Sequence, residues 1–103
     1  METLIDTGHL LEMSQELGEA LPPLLEELRA QANRRVMEEV PSQALFHDLK
    51  GALACLGLAA PAAQAAEHEK ACKTQQKLPD SWQAEFLKLV DEALKQVAVS
   101  LEL

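Results

Sequence analysis

The chain is expected to fold as an all-α protein, an antiparallel four-helix bundle with a short additional N-terminal helix. Three features lead there. Hydrophobic residues make up 48% of the 103 positions but aromatics only 3%, and β-branched residues are few beside Ala, Leu, Glu, Gln and Lys, a balance that favours helix. Prolines and glycines fall at the ends of helix-length segments rather than deep inside them. Within those segments apolar residues recur at three- and four-residue steps.

The first, short helix takes Asp6 or Thr7 as N-cap and runs to Leu17, with Leu10, Leu11, Ser14 and Leu17 on one side and Gly18 ending it. The second extends from Pro22 to Val40, with Leu24, Leu25, Leu28, Ala32, Val36 and Val40 on its apolar face and Pro41 as its stop. The third begins at Ser42 and ends near Gly57; the fourth begins near Pro61 and fades around Lys77, making a hairpin with the third. The Ala-rich stretch Ala59 to Ala66 suits close helix packing. After Pro79, Asp80 and Gln83 offer a capping box for the fifth helix, whose stripe is Phe86, Leu89, Val90, Ala93, Leu94 and Val97. Residues 1–103 read as one domain, too short for a second core.

Charge narrows the function. With 17 acidic and 9 basic residues the formal charge is −8, a sign that repels nucleic-acid phosphates and anionic headgroups. No apolar run approaches the roughly 20 residues of a membrane span, and the start lacks the basic character of a secretory signal. A cytoplasmic protein is expected. Cys55 and Cys72 are read as reduced thiols, small core residues rather than a disulfide.

The informative segment is Leu45-Phe46-His47-Asp48-Leu49-Lys50-Gly51-Ala52-Leu53-Ala54-Cys55-Leu56-Gly57. At about 100° per residue, Phe46, Leu49, Leu53 and Leu56 form the buried stripe, with Leu45 and Ala52 at its edge. His47 lies roughly 160° from Leu49, on the solvent side with Ala44, Gly51 and Ala54. A glycine inside a helix costs up to about 1 kcal/mol relative to alanine, so Gly51, one turn after an exposed histidine, asks for a reason. Two are available: room for close helix packing, or room for a partner to reach the imidazole. Neutral imidazole is a competent nucleophile near its ordinary pKa of about 6.5, and Lys50 can neutralise negative charge arriving there.

His47-x-Leu49-Lys50-Gly51-Ala52, followed by Leu56-Gly57, resembles the signature of histidine phosphotransfer (HPt) domains: His-x-Leu-Lys-Gly-Ser/Ala, then an apolar residue and a glycine ten after the histidine. The resemblance implies a four-helix bundle with an exposed acceptor on the second long helix, no ATP site, and phosphoryl exchange with the aspartate of a response-regulator receiver domain, free or within a hybrid sensor kinase. By that resemblance His47 is the acceptor, Lys50 its charge partner and Gly51 the steric clearance, with Ala44 and Ala54 in the docking surface. It also implies a phosphoryl carrier rather than an autonomous enzyme, a monomer with no cofactor of its own; a divalent metal such as Mg is expected on the receiver. The fourth helix departs from the family, with Pro61, Gln64 and His68 at Leu-type positions, while Glu69 stands where an acidic residue is common.

Other readings compete. The phosphoacceptor helix of sensor kinases, His-Glu/Asp-Leu-Arg/Lys-x-Pro-Leu, is matched in part by His47-Asp48-Leu49-Lys50 and Leu53, but Ala52 replaces its proline. A phosphorylation-independent adaptor would use the same face. His68 and Cys72, four apart, make a weak metal pair, and no metal site is expected. His9 is read as a surface residue, Asp48 as a solvated charge rather than a general base, and Glu26, Glu27, Glu38 and Glu39 as solvated helix faces.

Overall fold

The computed structural model describes residues 3–102; Met1, Glu2 and Leu103 of the expected single domain lie outside it. Five helices follow in order: α1 Thr7–Leu17, α2 Leu21–Glu38, α3 Gln43–Cys55, α4 Ala59–Lys73 and α5 Trp82–Leu101, with a 3-10 turn over Gly18–Ala20. There is no strand among the described residues, and the all-α bundle with a short leading helix is the architecture found.

The helix starts follow capping chemistry. Asp6 accepts a bond from the His9 amide at 3.1 Å, and Ser42 accepts from that of Leu45 at 3.1 Å, each satisfying a donor that the first turn leaves without an intrahelical partner. Gly18, at φ 53°, ends α1 as only a residue without Cβ does easily. α2 stops at Glu38, not Val40: Glu39 is extended, because the residue before Pro41 is pushed out of helical geometry and the chain straightens ahead of it. Val40 is consequently 81% exposed. At its other end α2 gains Leu21, which is fully buried. Leu24, Leu11 and Leu17 face solvent instead, since neighbours about 100° round each helix take the core positions.

α4 ends at Lys73, not near Lys77, in a turn where Gln75 takes a positive φ and the Gln76 amide bonds the Ala71 carbonyl at 2.8 Å. The capping box expected at α5 does not form. α5 begins at Trp82, so Asp80 lies ahead of the cap position, its side chain 97% exposed, and Gln83 donates its amide to the Val36 carbonyl at 3.0 Å. Gln83 ties α5 to α2 rather than capping its own helix.

Phe46, Phe86, Leu10, Leu21, Leu45, Leu53, Leu58, Val36, Val90 and Val97 are among the largest fully buried side chains, each contributing about 1.5–3 kcal/mol through removal from water. α3 packs most extensively on α4, and α5 lies against α1, α2 and α4. The small residues Ala60, Ala62 and Ala65 are buried, as expected of a helix that lies close to its neighbour. Two details of α3 differ from the stripe read in the sequence. Leu45 is wholly buried, whereas Ala52 is exposed. Cys55 is exposed too and Cys72 only half-buried; Cys55 is therefore not a core residue, because it lies past the last core turn.

The N-terminal segment seals the turn between α3 and α4. The Asp6 amide donates to the Gly57 carbonyl at 2.8 Å, the Ala60 amide to the Leu4 carbonyl at 3.1 Å, and Ile5 enters the core. His9, far from being a free surface residue, bonds the Cys55 carbonyl through Nε2 at 2.7 Å.

Candidate functional site

α3 divides along its length. Leu45, Phe46, Leu49 and Leu53 face the core, while Ala44, His47, Gly51 and Ala54 are exposed on the far side. The His47 side chain is 71% exposed. A Cβ placed on Gly51 would meet no atom within 4 Å, so Gly51 is not there to let another helix of the bundle come close. What its missing side chain leaves is open surface one turn from the imidazole.

His47 is nevertheless held. Its Nδ1 lies 3.2 Å from Glu69 Oε2, and Lys50 Nζ donates to the same carboxylate at 2.8 Å (Oε1) and 3.2 Å (Oε2). Lys50 reaches it from α3, and Glu69, only 14% exposed, from α4. The Lys50 hydrogen bond, with a smaller contribution from His47, holds the Glu69 carboxyl below the usual carboxylate range. An ionised carboxylate only accepts, so the Nδ1 contact is Nδ1–H donating to Glu69, and the neutral ring then carries its lone pair on Nε2. His47 and Lys50 thus meet at Glu69, while Ala44, Gly51 and Ala54 lie exposed on the same helix with no bond to it. Glu69 had a signal, its acidic family position, but its partners lie 19 and 22 residues away.

On the α2 side a second charge network flanks His47. Arg35 forks onto Glu39, Nε to Oε2 at 2.6 Å and Nη2 to Oε1 at 3.1 Å, and reaches across to Asp48 Oδ2 with Nη1 at 3.1 Å. The guanidinium, chiefly by hydrogen bonding, holds the Glu39 carboxyl below its ordinary range. Asp48 and Glu39 are therefore ion-paired rather than simply solvated, because the C-terminal turn of α2 lies beside the start of α3. A shallow depression lined by Ser42, Gln43, Ala44, His47 and Asp48 opens next to it.

His68 turns inward. Its ring sits 5.1 Å from Phe46, 5.9 Å from Trp82 and 6.2 Å from Phe86, and Gln64 Nε2 is 3.3 Å from its Nε2. Burial pushes its pKa down. The aromatic cluster, not Cys72, accounts for its placement, and no group of three or more metal-ligating side chains forms among the described residues.

The family model for the Hpt domain matches residues 9–100. The chain belongs to the Hpt domain family. Comparison with curated proteins and with solved structures gives no match. Membership implies histidine phosphotransfer within a phosphorelay, with a receiver domain as the class of partner, and a phosphocarrier role. Two departures from the Hpt pattern, Pro61 and His68, are both buried in the structure, so those positions of α4 still face the core. No helix among the described residues is long and apolar enough to cross a membrane.

Proposed function

We propose that this Hpt domain is a cytoplasmic phosphorelay intermediate that accepts a phosphoryl group on Nε2 of His47 from the phosphorylated aspartate of a receiver domain, or returns it there. One observation carries the reading: an exposed imidazole whose Nδ1–H is held by the Lys50-bound Glu69, so that the nucleophilic lone pair is on Nε2. The Nε2 lone pair attacks phosphorus, the bond from phosphorus to the aspartyl oxygen breaks, and the carboxylate leaves with that electron pair. The ring becomes an N-phosphoimidazolium whose Nδ1 proton remains on nitrogen, its positive charge facing Glu69. Because no proton is lost to solvent, none has to be returned when the phosphoryl group passes back to a receiver carboxylate in line, and Glu69 lowers the barrier to attack by stabilising the positive charge as it develops on the ring.

Lys50, with three N–H donors, contacts Glu69 and retains capacity for a phosphoryl oxygen. Gly51, Ala44 and Ala54 leave the approach open. A divalent metal such as Mg2+, carried by the receiver and not by this chain, would neutralise the phosphoryl oxygens in transit.

The test is incubation with receiver domains from the same genome, phosphorylated with acetyl phosphate, followed by a search for acid-labile, alkali-stable phosphate and assignment of the nitrogen by 15N and 31P NMR. Label on His9 or His68, or on Nδ1 of His47, would overturn the assignment. Glu69→Gln keeps an acceptor but removes the charge, and should slow labelling of His47 by phosphoramidate, which needs no partner, by roughly tenfold, in line with loss of a charge-assisted bond.

A further inference from the structure

Such a transfer brings an acidic chain up to a phosphorylated aspartate. The chain carries a formal charge of −8, and a receiver presents a phosphorylated aspartate. Close approach therefore depends on how charge is distributed around His47, and the two sides differ. Toward α4, Lys50 and Glu69 balance each other. Toward α2, the Arg35 guanidinium serves two carboxylates, so the hydrogen-bonded group carries one excess negative charge, with Arg34 as a second cation near Glu39. Asp48 is the outermost member: its side chain is 57% exposed, Oδ2 is engaged by Arg35, and the residue lines the same depression as His47. Arg35 thus fixes a carboxylate at the rim of the docking surface without neutralising it.

We propose that the Arg35–Glu39–Asp48 network is a specificity-determining docking element, which selects receivers that carry a basic side chain on the rim of their docking face and turns that side of the receiver toward α2. The inference rests on the phosphotransfer reading above. Fixed charges at a rim act mainly on encounter rate and on discrimination between partners, and less on the strength of the final complex. Because Asp48 does not touch the reacting ring, the network acts on which receiver docks and how fast, and leaves the chemistry at Nε2 to His47 and Glu69.

A purely structural role, a clamp between α2 and α3, makes a different prediction, and three single substitutions separate the two. Asp48→Asn and Glu39→Gln each remove the excess negative charge; Arg35→Gln increases it. Both Asp48→Asn and Arg35→Gln break the bridge between the helices. Transfer from receivers of the same genome, loaded with acetyl phosphate, would be followed at low and high salt. Each rate would be divided by that variant's own labelling rate with phosphoramidate, and folding checked by thermal unfolding.

At low salt kcat/KM with the preferred receiver should fall about threefold or more in Asp48→Asn and Glu39→Gln and rise by a similar factor in Arg35→Gln. The spread should collapse toward 1 M salt, where the screening length is about 3 Å. If Arg35→Gln and Asp48→Asn move together, or the order persists unchanged at high salt, the network is a clamp and the docking inference is wrong. Transfer that is rapid but indifferent to all three substitutions would overturn this inference alone. Wild-type protein that takes no phosphate from any receiver would overturn the phosphotransfer reading, and this inference with it.

Discussion

Gly51 and Gly57 belong to the same sequence signature, six residues apart, and occupy opposite environments. Around Gly51 nothing lies within 4 Å of where a Cβ would be. At Gly57 the backbone has φ +75°, and a Cβ would come within 2.9 Å of Leu10 Cγ and 3.3 Å of His9 Cδ2. The turn at Gly57 requires glycine for the fold, since the left-handed conformation and the closeness of α1 both exclude a side chain. The helix at Gly51 does not; alanine would fit it better. The molecule's own packing accounts for Gly57 but not for Gly51, and the proposed docking of a partner on the outer face of α3 supplies the missing reason.

The largest expected effect tests the outer face. His47→Gln should abolish phosphate acceptance while changing stability by no more than about 0.5 kcal/mol, as for an exposed position; labelling and thermal unfolding of the same sample would check both. A substantial loss of stability would mean that the face is structural after all. Next comes the turn. Gly57→Ala should cost about 2–4 kcal/mol, from left-handed strain plus overpacking against Leu10, measured by urea unfolding; a variant as stable as wild type would break the contrast between the glycines.

Gly51→Ala should instead stabilise the fold by up to about 1 kcal/mol. Gly51→Gln should stay folded yet slow transfer from a phosphorylated receiver. If that variant transferred at the wild-type rate, steric clearance would not explain the residue.

The smallest effect concerns His68, which lies beneath the face beside Phe46. Burial depresses its pKa below 6.5, so as pH falls through that region the unfolded chain takes up a proton that the folded chain resists, and stability declines. Glu69, also depressed, adds a second loss at more acidic pH, below 4.5. Thermal midpoints recorded from pH 7.5 downward should therefore slope first near pH 6.5, and His68→Leu should flatten that first limb while leaving the more acidic one. A His68→Leu curve parallel to wild type would show that the imidazole titrates freely.

Much of this was legible in the sequence, because it depends on local chemistry. Asp6, Ser42 and Gly18 mark helix ends through their own backbones, and the exposed row Ala44, His47, Gly51, Ala54 follows from helical periodicity alone. The misreadings share a different cause. Asp80 and Gln83 have the spacing of a capping box, but Gln83 bonds Val36, 47 residues away on α2, and Trp82 packs on Phe46 and His68 of two other helices. Periodicity gives a direction for Leu24 and Leu11 but not whether another helix lies there. Glu69 could be noticed as an acid, yet its grip on His47 depends on the register of α3 against α4. The Arg35–Asp48 bridge left no mark in the sequence at all, since it joins different helices through side chains unremarkable in either.

The ties from Leu4, Asp6 and His9 to the α3–α4 turn also bear on how the chain assembles. The hairpin of α3 and α4 is local and can form early, but its turn is closed only by a segment about 50 residues upstream, a contact whose loop-closure entropy is paid late. Two of those ties, from Leu4 and Asp6, lie ahead of residue 9, where the family match begins. The amides of Asp6 and Ala60 should accordingly exchange with solvent through a shared local opening, faster than core amides of α3 such as that of Leu49. Trimming the protein to start at residue 9 should bring the Ala60 amide to rapid exchange. In this bundle the helix that carries His47 is completed by a segment far from it in sequence, the last part of that end to be fastened.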